Sequence, residues 1–240
     1  MILERVVKGN HLKPRIFLFF ESRFLDGMQR KRKTFGKGPR DWNKRTHIAD
    51  YILLDPLQPG TKNVKILALI GSPRKGSNTD LLVDQILKGA EKGKHQGEKI
   101  YLYGYKILPC MDCRACKKGD YVCPLNDGMQ KIYPKMEKAD LIIFGTPNYW
   151  YGPTGKMKLL IDRMRPFVPS RKLKGKKWVI VSPSGEGPKS CSLLVGMLRL
   201  SCDYLGMKFA GKVLAKAYEK GEIRKDQKAL RKAFELGMSL

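Results

Sequence analysis

An α/β fold with a parallel sheet covered on both faces is predicted by three features of the sequence. Five short apolar runs recur between residues 64 and 214, stretches of helical length separate them, and the first and third runs stop at glycine. Strands that alternate with helices need crossover connections. Those crossovers are right-handed and lay helices on both sides of a parallel sheet. Val64 to Ile70 (VKILALI) is nearly all apolar and ends at Gly71, as a strand buried on both faces does. Ser77, Asn78 and Thr79 offer N-cap chemistry to a helix running to about Lys92. Lys99 to Tyr103 reads as the second strand, and a cysteine-rich loop follows it. Gly128 to Lys138 reads as helix, and Leu141 to Phe144 as a third buried strand ending at Gly145. A helix from about Gly152 to Arg165 is stopped by Pro166. Trp178 to Ser182 is the fourth strand, Lys189 to Leu205 an amphipathic helix ended by Gly206, Phe209 to Leu214 the fifth strand, and Arg224 to Leu236 a final helix.

Residues 1–62 differ from the rest. They carry basic clusters (Arg30 to Lys33; Lys44, Arg45) and Gly/Pro punctuation, without a sustained apolar period. They read as a partly ordered or disordered basic extension, with a nucleic-acid arm and untranslated upstream sequence as alternatives. Residues 63–240 read as the folded domain.

The 240 residues are ample for one sizeable core. No apolar run approaches the roughly 20 residues of a membrane helix. Ile16 to Phe20 falls short of the roughly 7–15 apolar residues of a signal-peptide core. A soluble, cytoplasmic protein is therefore expected. In a reducing compartment its six cysteines favour metal ligation over disulfides. Cys191 and Cys202 sit apart on a helical pattern and read as buried structural thiols. The formal net charge of +26 attracts anions, whether nucleic acid, phosphate-bearing cofactors or an acidic protein.

Cys110, Cys113, Cys116 and Cys123 follow the spacing C-x2-C-x2-C-x6-C, and Pro124 comes next. Three cysteines at one repeated interval suit a multi-iron cluster better than tetrahedral zinc, which usually takes two separate C-x2-C knuckles. A [4Fe–4S] cluster is the leading expectation; zinc and redox thiols are the alternatives.

Three loops fall at strand carboxyl ends, where open α/β sheets bind ligands. Gly71-Ser-Pro-Arg-Lys-Gly-Ser-Asn-Thr79 presents hydroxyls, an Arg and the free N–H groups of a helix start, which suit a terminal phosphate. It has neither the G-K-[ST] ending of a Walker A loop nor G-x-G-x-x-G, which disfavours triphosphate hydrolysis and a Rossmann pyrophosphate site. Thr146-Pro-Asn-Tyr-Trp-Tyr-Gly152 sets three aromatics in a row on a loop, suited to walling a flat ring system or to a subunit contact. Ser182-Pro-Ser-Gly-Glu-Gly187 has glycines that admit a ligand close to the backbone.

These loops, in this order, resemble the NAD(P)H-dependent FMN reductase branch of the flavodoxin-like superfamily, through G-S-P-R-x-G-S-N-T and T-P-x-Y-W. The resemblance covers residues 63 to about 215. It implies a flavodoxin-like, doubly wound five-stranded sheet of order 2-1-3-4-5, with the cysteine loop (residues 106–127) inserted between strands 2 and 3. Within that branch the compact cysteine loop resembles the iron–sulfur flavoproteins of anaerobic archaea and bacteria, which carry one [4Fe–4S] cluster and one FMN per subunit and form dimers or tetramers. Carried over, Ser72, Arg74, Ser77, Asn78 and Thr79 would hold the FMN phosphate. Pro147, Asn148, Tyr149, Trp150 and Tyr151 would border the isoalloxazine, with Ser182, Gly185 and Glu186 flanking it. Cys110, Cys113, Cys116 and Cys123 would ligate the cluster.

The function so implied is electron transfer between a one-electron donor such as ferredoxin, the cluster and FMN, and then to a small acceptor (quinone, oxygen or peroxide). No catalytic acid or base is expected, and none of His11, His47 and His95 falls in a site loop. One alternative is an NAD(P)H-dependent FMN or quinone reductase with a structural cysteine loop. Another, from a different class, is a basic nucleic-acid-binding or regulatory zinc protein, for which charge alone is weak support. A homodimer or homotetramer is expected, with no membrane partner and no nucleic acid.

Overall fold

In the computed structural model, which describes residues 63–240, the apolar runs become strands β1 (Lys65–Ile70), β2 (Gln96–Tyr101), β3 (Leu141–Gly145), β4 (Lys177–Ser184) and β5 (Lys208–Lys216). All pair in parallel, in the order β2-β1-β3-β4-β5. The helices are α1 (Asn78–Lys92), α2 (Met129–Lys138), α3 (Gly155–Asp162), the single turn α4 (Phe167–Ser170), α5 (Ser192–Tyr204) and α6 (Gln227–Met238). The basic extension expected over residues 1–62 lies outside the described residues.

Side-chain alternation along each strand divides the core into two layers. Leu67 and Leu69 of β1, Ile142 and Phe144 of β3, and Trp178 and Ile180 of β4 belong to the layer completed by α2, α3 and α5. Ile66, Ala68 and Ile70 of β1, with Ile143, Val179 and Val181, belong to the layer completed by α1 and α6. Each fully buried Leu, Ile or Phe contributes about 1.5–3 kcal/mol. In the second layer α6 lies directly on α1. A Cβ on Gly89 would collide with the Phe234 carbonyl oxygen, and one on Gly237 with the Ile86 carbonyl oxygen. This backbone-to-backbone contact holds α1, whose N-terminus opens the first ligand loop.

Several element boundaries differ from those expected, and four of the elements show a local reason. β2 starts at Gln96 rather than Lys99 and stops at Tyr101, because its first residues are exposed at the sheet edge and give no apolar signal. β4 runs on to Ser184 through Pro183. Pro183 is tolerated because the missing N–H faces the side of β3, which has already ended, and its carbonyl there accepts from Asn148 N at 3.0 Å. α3 is shorter than the predicted 152–165 because Thr154 caps it, with Oγ1 accepting from Met157 N at 3.3 Å. α6 starts at Gln227, where Asp226 caps by accepting from Ala229 N at 2.9 Å.

Substituting Gly237 by Ala is expected to cost about 1–3 kcal/mol, the usual range for overpacking, read as a lower urea midpoint with an unchanged far-UV circular dichroism spectrum. A neutral substitution would show that the two helices are free to part.

Candidate functional site

Strand order reverses between β1 and β3, so connections leave on opposite faces and open a crevice beyond the strand carboxyl ends. A cavity of about 780 Å³ lies at that edge, within the range of about 300–1,000 Å³ usual for small-molecule sites. Ser72, Arg74, Ser77, Asn78 and Thr79 line it from the loop after β1. Pro147, Asn148, Tyr149, Trp150 and Tyr151 line it from the loop after β3, and Gly185 and Glu186 from the loop after β4. Ser182 does not line it: it is fully buried within β4, with its hydroxyl 3.8 Å from the Cys191 sulfur. Pro183 and Ser184 line the cavity instead, and Ala217 and Tyr218 join from the segment after β5. The strand-end rule, applied to β5 as to the others, is the signal that points to Tyr218.

The loop after β1 is held from below. Gly76 adopts φ +66°, and its N–H donates to Asp80 Oδ2 at 2.8 Å. Asp80 Oδ1 also accepts from Lys99 Nζ at 2.8 Å, and the Tyr101 hydroxyl donates to the same carboxylate. Burial by itself would raise the Asp80 carboxyl; Lys99, the Gly76 amide and Tyr101 together outweigh it and hold it below its ordinary value. Lys99 thereby offsets a negative charge set in the first turn of α1, where an anion would otherwise be repelled. Ser77, at the N-cap, makes no side-chain capping bond, which leaves its hydroxyl for a ligand beside the first-turn amides. The Asn78 amide is engaged at both ends: Nδ2 donates to Glu219 O at 2.7 Å, and Oδ1 accepts from Ile223 N at 3.2 Å. Its side chain staples the loop to the segment after β5. Sequence reasoning missed Asp80, Lys99 and Tyr101 as a group because they meet only across the sheet.

Tyr149 and Gly152 exchange both backbone hydrogen bonds, at 2.9 and 3.0 Å, around Trp150 (φ 49°) and Tyr151 (φ 61°). Two left-handed residues in a two-residue turn is the arrangement that normally selects Asn-Gly. Bulky aromatics pay about 1–2 kcal/mol each for it. The strain projects Trp150 outward, 96% exposed. Two threonines fix the base of this turn: Thr154 N donates to Thr146 Oγ1 at 3.1 Å, and Thr154 Oγ1 donates to Gly71 O at 2.6 Å. Asn148 Nδ2 donates to Ser190 O at 3.2 Å, while Asn148 Oδ1 is buried without a partner among the described residues.

All four loop cysteines line a second, smaller cavity of about 20 Å³, together with Arg163, Arg165 and Pro166. Cys116 and Cys123 are buried, Cys110 half-buried and Cys113 exposed. Asp112, Arg114 and Tyr121 of this loop are all at positive φ. Burial pushes the Cys116 thiol up, and the neighbouring cysteines add to that while Arg165 opposes it. Among the described residues no three His, Cys, Asp or Glu side chains stand close enough to hold a metal ion. The cavity has about the volume a single water needs, so a multi-iron core requires the exposed middle of the loop to spread.

The ends of this loop are firmly clamped. Asp127 Oδ2 accepts from Leu108 N at 2.8 Å and Oδ1 from Met129 N at 2.9 Å. Arg163 bridges to the same carboxylate at 2.6 and 3.2 Å and donates to Leu108 O at 2.8 Å. Both side chains are 1% exposed. Burial would raise the Asp127 carboxyl, but Arg163 and the two amides more than offset it. Helix α3 joins the two sites: the loop before it walls the large cavity, and residues at and just beyond its C-terminus wall the small one. Its eight residues span about 12 Å.

Residues 64–220 match the family model for NADPH-dependent FMN reductases. The chain belongs to this family. YwqN of Bacillus subtilis, which carries the name NAD(P)H-dependent FMN-containing oxidoreductase, is 32% identical over 181 residues, covering 72% of this chain and 96% of YwqN. An iron–sulfur flavoprotein of Archaeoglobus fulgidus is 44% identical over 102 residues, 42% of this chain and 49% of its own length. One from Methanosarcina thermophila is 34% identical over 100 residues, 42% and 52% respectively. The match therefore spans about half the length of these two iron–sulfur flavoproteins. Among solved structures, the Trp repressor binding protein from Bacillus subtilis superposes with a TM-score of 0.57 at 27% identity, over 71% of this chain and 98% of that one. This FMN reductase family member is an FMN-dependent oxidoreductase. Among its described residues no helix is long and apolar enough to cross a membrane.

Replacing Asp127 by Asn is expected to leave the Arg163 charge buried and unpaired, at a cost of about 3–5 kcal/mol in urea unfolding. Asp80 and Asp127 both lie below the ordinary carboxylate value of 3.8. Their contributions are complete above that pH and are lost as the pH falls through the folded values. The native protein should therefore lose stability below about pH 3.8 more steeply than Asp127→Asn, and equal acid slopes would contradict the pairing.

Proposed function

We propose that this FMN reductase family member is an iron–sulfur flavoprotein, passing electrons between a one-electron donor such as ferredoxin and a small acceptor such as a quinone, oxygen or peroxide. One observation carries the reading. A ligand-sized cavity at a helix N-terminus and a pocket ringed by four thiols occupy the two ends of α3 in one domain.

The residues fit FMN on their own terms. The uncapping Ser77 hydroxyl, the Ser72 hydroxyl, Arg74 and the free first-turn amides suit a terminal phosphate. Tyr149, Trp150 and Tyr151 of one loop, with Gly185, Glu186 and Tyr218 of two others, line the cavity and offer walls to a flat ring. For an iron–sulfur centre, the donor set is four thiols of one loop, anchored at both ends and exposed in the middle, with Arg165 beside Cys110 to offset thiolate charge. Bound FMN exchanges electrons singly or in pairs and an iron–sulfur cluster exchanges them singly, so the two together couple one-electron to two-electron chemistry. No histidine lines either cavity, and the proposed roles are binding, orientation and exclusion of water. Exposed Arg114, Lys117 and Lys118 on the cysteine loop would steer an acidic donor protein toward it. A homodimer or homotetramer would cover Trp150, and the protein would work in the cytoplasm.

Family membership and the similarity to YwqN favour a second reading, in which NAD(P)H delivers hydride to the flavin and the cysteine loop is structural.

Anaerobic purification with flavin, iron and acid-labile sulfide analysis separates the two. The first reading expects iron and sulfide in equal amounts alongside FMN, and flavin bleaching by a reduced ferredoxin. Flavin without iron in protected protein, bleached rapidly by NAD(P)H, would establish the second. In either case Arg74→Ala is expected to weaken FMN binding about 10- to 100-fold, the loss of a charge-assisted hydrogen bond. Cys116→Ala should remove the iron and leave the flavin.

A further inference from the structure

One buried donor in the cysteine corner has no partner among the described residues. Arg163 is 1% exposed and lines the thiol cavity. Its two terminal nitrogens are spent on Asp127 and on Leu108 O. Its Nε–H is the buried one. A buried charged donor left unpaired is costly, and its surroundings are otherwise paired. The Tyr133 hydroxyl donates to Arg163 O at 2.7 Å, and Gln130 Nε2 donates to Cys123 O at 2.8 Å and Leu125 O at 2.9 Å. Cys123 lines the same small cavity as Arg163.

We propose that the Arg163 Nε–H is the hydrogen-bond donor to a sulfur of the iron–sulfur centre, and that it sets the centre's potential. The inference rests on the iron–sulfur reading and names a residue that tunes it. Asp127 balances the Arg163 charge, so what reaches the centre is chiefly an N–H dipole held in direction by the two-pronged carboxylate pair. Hydrogen bonds to cluster and thiolate sulfurs favour the reduced form. Lysine would keep the charge and lose the planar fork that aims the donor. A residue that only clamped the loop would alter iron retention and stability but not the potential of the centres that remain.

The test uses the whole protein, purified anaerobically, reduced and labelled with 15N-arginine. Pulsed electron paramagnetic resonance is expected to show a 15N coupling to the reduced centre, retained in Arg165→Lys and lost in Arg163→Lys. In a redox titration, Arg163→Lys is expected to lower the ratio of reduced to oxidised centre about tenfold at the native midpoint, about 59 mV for one electron. An iron-loaded native protein without arginine 15N coupling overturns the proposal, as does an Arg163→Lys midpoint equal to the native one. The native-protein measurement decides even if Arg163→Lys fails to fold. Protein that never holds iron defeats the underlying iron–sulfur reading instead, and iron analysis tells the two failures apart.

Discussion

Every functional group described above is positioned by one constraint of parallel pairing: each strand must be re-entered from the same end, so all carboxyl ends open on one edge of the sheet. Where the order turns back between β1 and β3, the connections diverge to opposite faces and leave a crevice. The loops after β1, β3, β4 and β5 have nowhere else to meet, and together they make the large cavity. The connection after β2 stands at the outer side of that edge, and it alone is long enough to carry a second set of ligands.

Two ion pairs, Asp127–Arg163 fully buried and Asp80–Lys99 half-buried, tie these loops to the scaffold by the same device. Asp80 takes a loop amide and is paired by Lys99 of β2; Asp127 takes two amides and is paired by Arg163 at the end of α3. A buried pair gains little net stability, because desolvation of both charges offsets their attraction. What it supplies is position: a carboxylate that must satisfy several donors at once fixes the chain ends that carry them. The cysteine loop shows the consequence, with rigid ends and an exposed middle. The large site stores its strain elsewhere, in the left-handed Trp150–Tyr151 turn that holds two aromatic rings out from the sheet.

The fold was legible in the sequence because burial on both sheet faces demands unbroken apolar runs, and VKILALI and LIIF have no other economical reading. The candidate site was legible where one loop carries its own signal, as in the hydroxyl-rich turn at Ser72–Thr79, the aromatic triplet and the repeated cysteines. Boundaries slipped where the signal was absent or ambiguous, at the exposed start of β2 and at Pro183, whose place in β4 depends on β3 ending first.

Composition and order alone determined the α/β class, the strand sequence and which loops carry chemistry, since periodicity and local caps act over a few residues. Only the tertiary structure decided that Ser182 turns inward while Tyr218 joins the cavity, that Asn78 spends its side chain on the Glu219–Ile223 segment, and that Asp127 finds Arg163. Those outcomes depend on strand pleat and on contacts between residues as many as 145 positions apart. Such contacts leave no trace in local sequence, because they are selected by packing after the elements have formed.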